Sequence, residues 1–330
     1  MTRHVSSTIA VLCFGALLTG GCDKTVSSTG DKVRAAWEAV QSQPSQPLAD
    51  TFAAPGDHWD DKRGVPWAVA RSLGQMCKLS YAGEAEVNAA LSKWGFGRID
   101  HFPNESLYAC VASDDHTVMI AFRGTDDPRD WLVNSDAAPQ SVPHGVVHRG
   151  FYQGMKGLYP EVAAAATAHG AEEKNLWLTG HSLGGALAVA FAYETLAEGR
   201  LRPAGVATFG QPLLADAALG AYLSDQLGGN YVRFVNERDT VTRVPPGYVH
   251  FGKLIWFHEG KLEASRQSST AEPAPLSTAE FKSLKEGLRE LRQLGKSFDP
   301  ASLRSYGEQV ATITDHFMDA YLGGIGTFAK

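Results

Sequence analysis

The run Leu176-Trp177-Leu178-Thr179-Gly180-His181-Ser182-Leu183-Gly184-Gly185-Ala186-Leu187-Ala188 constrains this chain more than any other stretch. An apolar segment enters a Gly-x-Ser-x-Gly pentapeptide and then continues in small and apolar residues. That order is the signature of a strand, a sharp turn and a helix, with Ser182 lifted above the sheet edge. The flanking glycines let strand and helix approach without a Cβ clash. The pentapeptide alone is a modest signal, so its meaning depends on what surrounds it and on partners for Ser182.

The surroundings alternate. Apolar runs at Leu107–Ala112, Thr117–Phe122, Leu176–Thr179, Gly205–Phe209 and Tyr231–Val235 read as strands. Helical spacing is predicted over Pro66–Tyr81, Glu84–Trp94, the Ala163–Ala168 region, the stretch after Ser182 to about Ala197, and Ala215–Leu227. Short buried strands interleaved with helices predict an α/β fold with a mostly parallel, helix-covered sheet. Sites in such sheets form at the carboxyl ends of strands. Thr125, Ser182, Gln211 and Asp239 all stand just past such ends. A further strand is expected over Tyr248–Phe257, and a charged amphipathic helix over Thr278–Gly295, with Phe281, Leu284, Leu288 and Leu291 on one face. That helix is expected to pack on the domain, a mobile cap or partner-binding helix being the alternative.

A serine hydroxyl needs a neutral imidazole to accept its proton and an acid to hold that imidazole. In this topology the order after the turn is Ser, acid, His. Asp239, four residues past a strand, is the expected acid. Asp216 and Asp225 read as helix charges. Among His250, His258 and His316, the last is the expected base, because the other two lie on the next strand, where histidines pair to backbone or sit at a sheet edge. His181, inside the turn, reads as a structural donor, and His148 as a packing or hydrogen-bonding residue. An oxyanion hole needs donors at the developing charge: the amide of Leu183, and Thr125 at the end of Phe122-Arg123-Gly124-Thr125.

Phe-Arg-Gly-Thr at 122–125, Val-His-Arg-Gly-Phe at 147–151, Thr-Gly-His-Ser-Leu-Gly-Gly-Ala-Leu-Ala at 179–188, Thr-Phe-Gly-Gln-Pro at 208–212 and Arg-Phe-Val-Asn-Glu-Arg-Asp-Thr-Val-Thr-Arg-Val-Pro-Pro at 233–246 together resemble the class 3 (fungal-type) lipase family of α/β-hydrolases. The resemblance spans roughly 65–260 and the end of the chain. It implies Ser182 as nucleophile, Asp239 as acid, Thr125 as oxyanion threonine, and a base in a His-x-x-Tyr-like element similar to Asp315–Tyr321. The spacing in that element differs from the family's, and the 278–312 segment lengthens the interval before it. The resemblance further implies a lid after the oxyanion strand, here Trp131, Leu132 and Val133, and a lipid ester as substrate, with a phospholipase A1 or short-chain esterase as the alternative. It implies neither metal nor organic cofactor.

The rest of the chain bounds the reading. A net charge of −6 gives no reason to expect a nucleic-acid partner. His58 with Asp57, Asp60 and Asp61 lies in a polar, turn-rich stretch and reads as solvated surface. Arg3, the apolar run Ile9–Leu18 and Thr19-Gly20-Gly21-Cys22 predict an export signal over 1–22. Cys22 is the candidate for lipidation, which would tether the protein to a bacterial envelope; a plain signal peptide is the alternative. Residues 23–64 are expected to form a polar segment and linker, with one short helix at Asp31–Gln41, and the compact domain to span 65–330. Cys77 and Cys110 could pair after export, or stay as two buried thiols.

Overall fold

A computed structural model describes residues 48–56, 58–60, 62, 65–104, 107–125, 132, 138–265, 273–293 and 316–329. The export signal, Cys22 and the helix expected at Asp31–Gln41 lie outside the described residues.

The chain opens with α1 (Trp67–Leu79) and α2 (Glu84–Lys93), then β1 (Arg98–Asn104), β2 (Leu107–Ser113) and β3 (Thr117–Phe122). A hairpin follows, β4 (Pro139–Val142) and β5 (Gly145–His148), then α3 (Arg149–Ala168), β6 (Asn175–His181) and α4 (Leu183–Glu198). The second half holds β7 (Gly205–Phe209), α5 (Ala217–Leu227), β8 (Tyr231–Asn236), β9 (Lys253–His258), β10 (Lys261–Ser265), α6 (Thr278–Gln293) and α7 (Met318–Phe328).

One eight-stranded sheet runs β1-β2-β3-β6-β7-β8-β9-β10. The pairings from β3 through β9 are parallel, and antiparallel strands close both edges. Alternation along the strands sorts side chains to two cores. From β3, Val118, Ile120 and Phe122 face α3, α4 and α5. Met119 and Ala121 face α1 and α7. The expected α/β architecture, with helices on both faces, is what the chain adopts. The helix α4 is buried from Leu183 through Thr195. Its sequence there is accordingly almost wholly apolar, and its one charge in that range, Glu194, is paired with Lys156.

Several boundaries differ from expectation. The hairpin β4–β5 stands in a stretch where no strand is expected. Pro143 and His144 make its turn, His144 at φ 73°, the type II arrangement with Pro first and a left-handed residue second. The strand expected from Tyr248 begins only at Lys253, because Val249 makes an isolated bridge to Ala215 instead. Packed structure also starts before residue 65. Trp59 is buried, and Leu48 and Phe52 pack on the same core as α1. Apolar residues spaced singly through polar sequence gave no periodic signal there.

Helix α6 packs on the domain. Phe281, Leu284 and Leu288 bury against Leu276, against Val241 and Val244 beyond β8, and against Leu132. Arg243 Nε donates to the Ala274 carbonyl at 2.9 Å, joining the two segments.

Candidate active site

The turn between β6 and α4 carries the first component. Ser182 has φ 59° and ψ −132°, a backbone state that costs a non-glycine residue about 1–3 kcal/mol. The surrounding structure enforces it: Ser182 N donates to the Phe209 carbonyl at 2.9 Å, and Gly185 N donates back to the Ser182 carbonyl at 3.0 Å. A Cβ on Gly180 would strike the Gly184 carbonyl, and one on Gly184 would strike the Phe122 carbonyl. The pentapeptide's glycines are thus demanded by close approach, and they seat the turn against the ends of β3 and β7.

Asp239 lies past the end of β8. It caps a short 3-10 turn over Thr240–Arg243, its Oδ1 accepting from Val241 N at 2.8 Å. Its Oδ2 accepts from His316 Nδ1 at 2.8 Å and from the Tyr321 hydroxyl at 2.6 Å. Both Asp239 and His316 are buried. A carboxylate oxygen only accepts, so Nδ1 of His316 carries the hydrogen, and in the neutral ring Nε2 is the lone-pair nitrogen. That is the tautomer a general base requires. Gly210, at φ 59°, lies beneath the pair; a Cβ there would come within 2.8 Å of His316 Nδ1 and 2.9 Å of Asp239 Oδ2.

Ser182 Oγ, His316 Nε2 and Thr125 Oγ1 are each buried without a hydrogen-bond partner among the described residues. Buried polar atoms are normally satisfied. The expected nucleophile, base and oxyanion threonine are thus among the buried polar atoms that the described residues leave unsatisfied. Thr125 follows Gly124, where a Cβ would come within 3.0 Å of Ser182 Cβ and 2.7 Å of the His181 carbonyl. The oxyanion segment therefore abuts the elbow. Leu183 is the first residue of α4, where amides have no intrahelical acceptor.

The other histidines weighed from the sequence have other partners or roles. His250 Nε2 is 2.6 Å from the Thr242 carbonyl. His258 stacks on Trp256 at the end of β9, one strand in from the edge of the sheet. His148 caps α3, its Nδ1 accepting from Phe151 N at 3.2 Å. His181 donates Nε2–H to the His316 carbonyl at 2.6 Å. Burial first, and then the proximity of His316, hold its pKa well below the ordinary histidine value, so it is neutral. Asp216 caps α5, its side chain accepting from Leu219 N.

Of the residues expected to form a lid, Trp131 and Val133 lie outside the described residues. Leu132 is buried in the cluster with α6. Cys77 and Cys110 are both free and buried, with burial pushing each thiol up to about 12. Cys77 sits 3.1 Å from Thr179 Oγ1. Tyr321 belongs to the His-x-x-Tyr-like element named from the sequence, but its hydrogen bond to Asp239 was not foreseen there.

Residues 119–249 match the family described as Lipase (class 3). The chain is 33% identical to the lipase of Rhizomucor miehei over 172 residues, 47% of this chain and 46% of that protein. It is 26% identical to the chloroplastic phospholipase A(1) DAD1 of Arabidopsis thaliana over 249 residues, 66% of this chain and 54% of that protein. The chain thus spans about half the length of these relatives. The native propeptide complex of Rhizomucor miehei lipase superposes with a TM-score of 0.54 at 25% identity, covering 61% of this chain and 73% of that one. The sheet, its helical layers and the elbow make the fold that of an α/β-hydrolase. Over residues 119–249 the chain is similar to the class 3 lipases.

Proposed function

We propose that the protein is a carboxylic-ester hydrolase acting on acylglycerol or related lipid esters through an acyl-enzyme on Ser182. The observation that carries the reading is the buried His316–Asp239 hydrogen bond, which leaves Nε2 as an acceptor, in a site whose nucleophile is already set on a strained elbow. In this mechanism Nε2 takes the Ser182 proton as Oγ attacks the ester carbonyl. The oxyanion forms against the Leu183 amide and Thr125. His316 returns the proton to the leaving alcohol, and Asp239 stabilises the imidazolium formed in between. Water, deprotonated by the same Nε2, then releases the acid. The chain's own groups complete this cycle.

A phospholipase A1 activity is the second reading. It is favoured by the match to the Arabidopsis phospholipase, which covers more of this chain than the Rhizomucor lipase match does. Export, with Cys22 as a lipid anchor on a bacterial envelope and the lid role of residues 131–133, belongs to the same proposal and rests on the sequence.

A panel of p-nitrophenyl esters, acylglycerols and phospholipids separates these readings. Wild type is expected to cleave esters and to be labelled by a fluorophosphonate, and Ser182→Ala to do neither. Equal turnover in Ser182→Ala would sink the mechanism. A preference for the sn-1 ester of phospholipids over acylglycerols would select the second reading.

A further inference from the structure

The Asp239–His316 bond fixes one atom of the base but not the ring's swing about that atom. His316 stands outside the sheet, just ahead of α7, so its main chain needs a separate anchor. The hydrogen bonds identify one. A carbonyl oxygen only accepts, so the 2.6 Å contact between His181 Nε2 and the His316 carbonyl places the hydrogen on Nε2. With His181 neutral, its Nδ1 carries a lone pair. Tyr81, just past the end of α1, donates its hydroxyl to that atom at 2.9 Å. The directions are then fixed throughout: Tyr81 O–H to Nδ1, and Nε2–H to the carbonyl of the base.

This pair touches the elbow, the base and the segment that leads to Thr125. His181 is the residue before the nucleophile. Its ring lies 4.6 Å from the His316 ring, tilted by 31°. A Cβ on Gly124 would collide with the Tyr81 hydroxyl, so that hydroxyl also bears on the oxyanion segment.

We propose that Tyr81 and His181 are positioning residues that lock the His316 main chain, and hence the aim of Nε2, to the elbow and the oxyanion segment. The proposal rests on the hydrolase reading above. A neutral His181 has a second consequence: it sets no positive charge beside the imidazolium that His316 must become during turnover.

The test uses the full chain, a soluble p-nitrophenyl ester and fluorophosphonate labelling, with folding followed by thermal melting. Wild-type labelling, absent in Ser182→Ala, establishes the underlying reading independently of the pair. Tyr81→Phe removes only the hydroxyl and is expected to lower kcat about 3–10-fold at unchanged KM, the weight of one hydrogen bond. His181→Leu removes the donor and is expected to cost about 100-fold in kcat, as a misaimed base does. His181→Gln carries an amide donor to the same place and is expected to recover most of that loss. Unchanged kcat in folded Tyr81→Phe and His181→Leu would overturn the proposal. So would a fall in rate that only tracks the folded fraction, or His181→Gln as slow as His181→Leu. If His181→Leu does not fold, Tyr81→Phe decides: full kcat refutes the positioning role, and reduced kcat in a fully folded protein supports it.

Discussion

Ser182 and His316 are held in place in different ways. Ser182 sits in a continuous segment, β6 through the turn into α4, whose geometry is written in residues within a few positions of it. From elsewhere come the Phe209 and Phe122 carbonyls and the close approach of Gly124. His316 is the reverse. Its side chain is held by Asp239, its main chain by His181, and Asp239 in turn by Tyr321. The helix behind it, α7, docks on α1 with Lys78 paired to Asp319 at 2.6 Å and Leu322 against Gly74. A local segment can be rigid because its own sterics permit one shape. A base delivered from the far end of the chain is only as well placed as the contacts that receive it.

The sharpest way to break this comparison is to move the base. His316→Ala is expected to lower kcat/KM on an ester by about 10⁴-fold or more, as loss of a triad member does. His250→Ala should stay within a few-fold, since its Nε2 is spent on the Thr242 carbonyl. Steady-state kinetics on both variants checks this. The reverse pattern would assign the base to His250 and detach the C-terminal element from the chemistry.

Glycine substitutions probe the same contrast through stability. Gly184→Ala drives a methyl into the Phe122 carbonyl, a backbone atom that cannot step aside. Overpacking of that kind costs about 1–3 kcal/mol or more. Gly323, inside α7, has nothing within 4 Å of its Cβ position. There Gly323→Ala should gain about 0.5–1 kcal/mol of helix stability. Denaturant melts of the two variants should therefore move in opposite directions. A tolerated Gly184→Ala would mean that the elbow is looser than its contacts imply.

The division between local and tertiary also explains what could be read in advance. The strand–turn–helix at 176–188 was legible because periodicity and steric demand coincide there. Asp239 was legible because strand ends are marked by the close of an apolar run. Strands β1, β4, β5 and β10 were not. They lie at an edge of the sheet or in the small hairpin, and half-solvated strands carry no apolar run. Arg98–Asn104 even holds Pro103, which an edge strand tolerates. The Tyr81–His181–His316 chain was invisible for a deeper reason. It joins residues 100 and 135 positions apart by single atoms, and no pattern in sequence announces such a contact.

The smallest expected effect concerns pH. In the folded chain His181 is held well below the ordinary histidine pKa, by burial and then by His316. His169 is lowered as well, by burial, against the pull of Asp100. The unfolded chain protonates such residues near pH 6.5. As pH falls below that value the unfolded state binds more protons than the folded one, so stability drops with acidification; above it their contribution is fully present. His181→Gln removes one of these groups while keeping the donor to the His316 carbonyl. Its melting temperature should therefore fall less steeply than wild type's between pH 7 and pH 5. Parallel slopes would mean that His181 takes up a proton without unfolding, and the neutral donor assigned to it beside His316 would have to be abandoned.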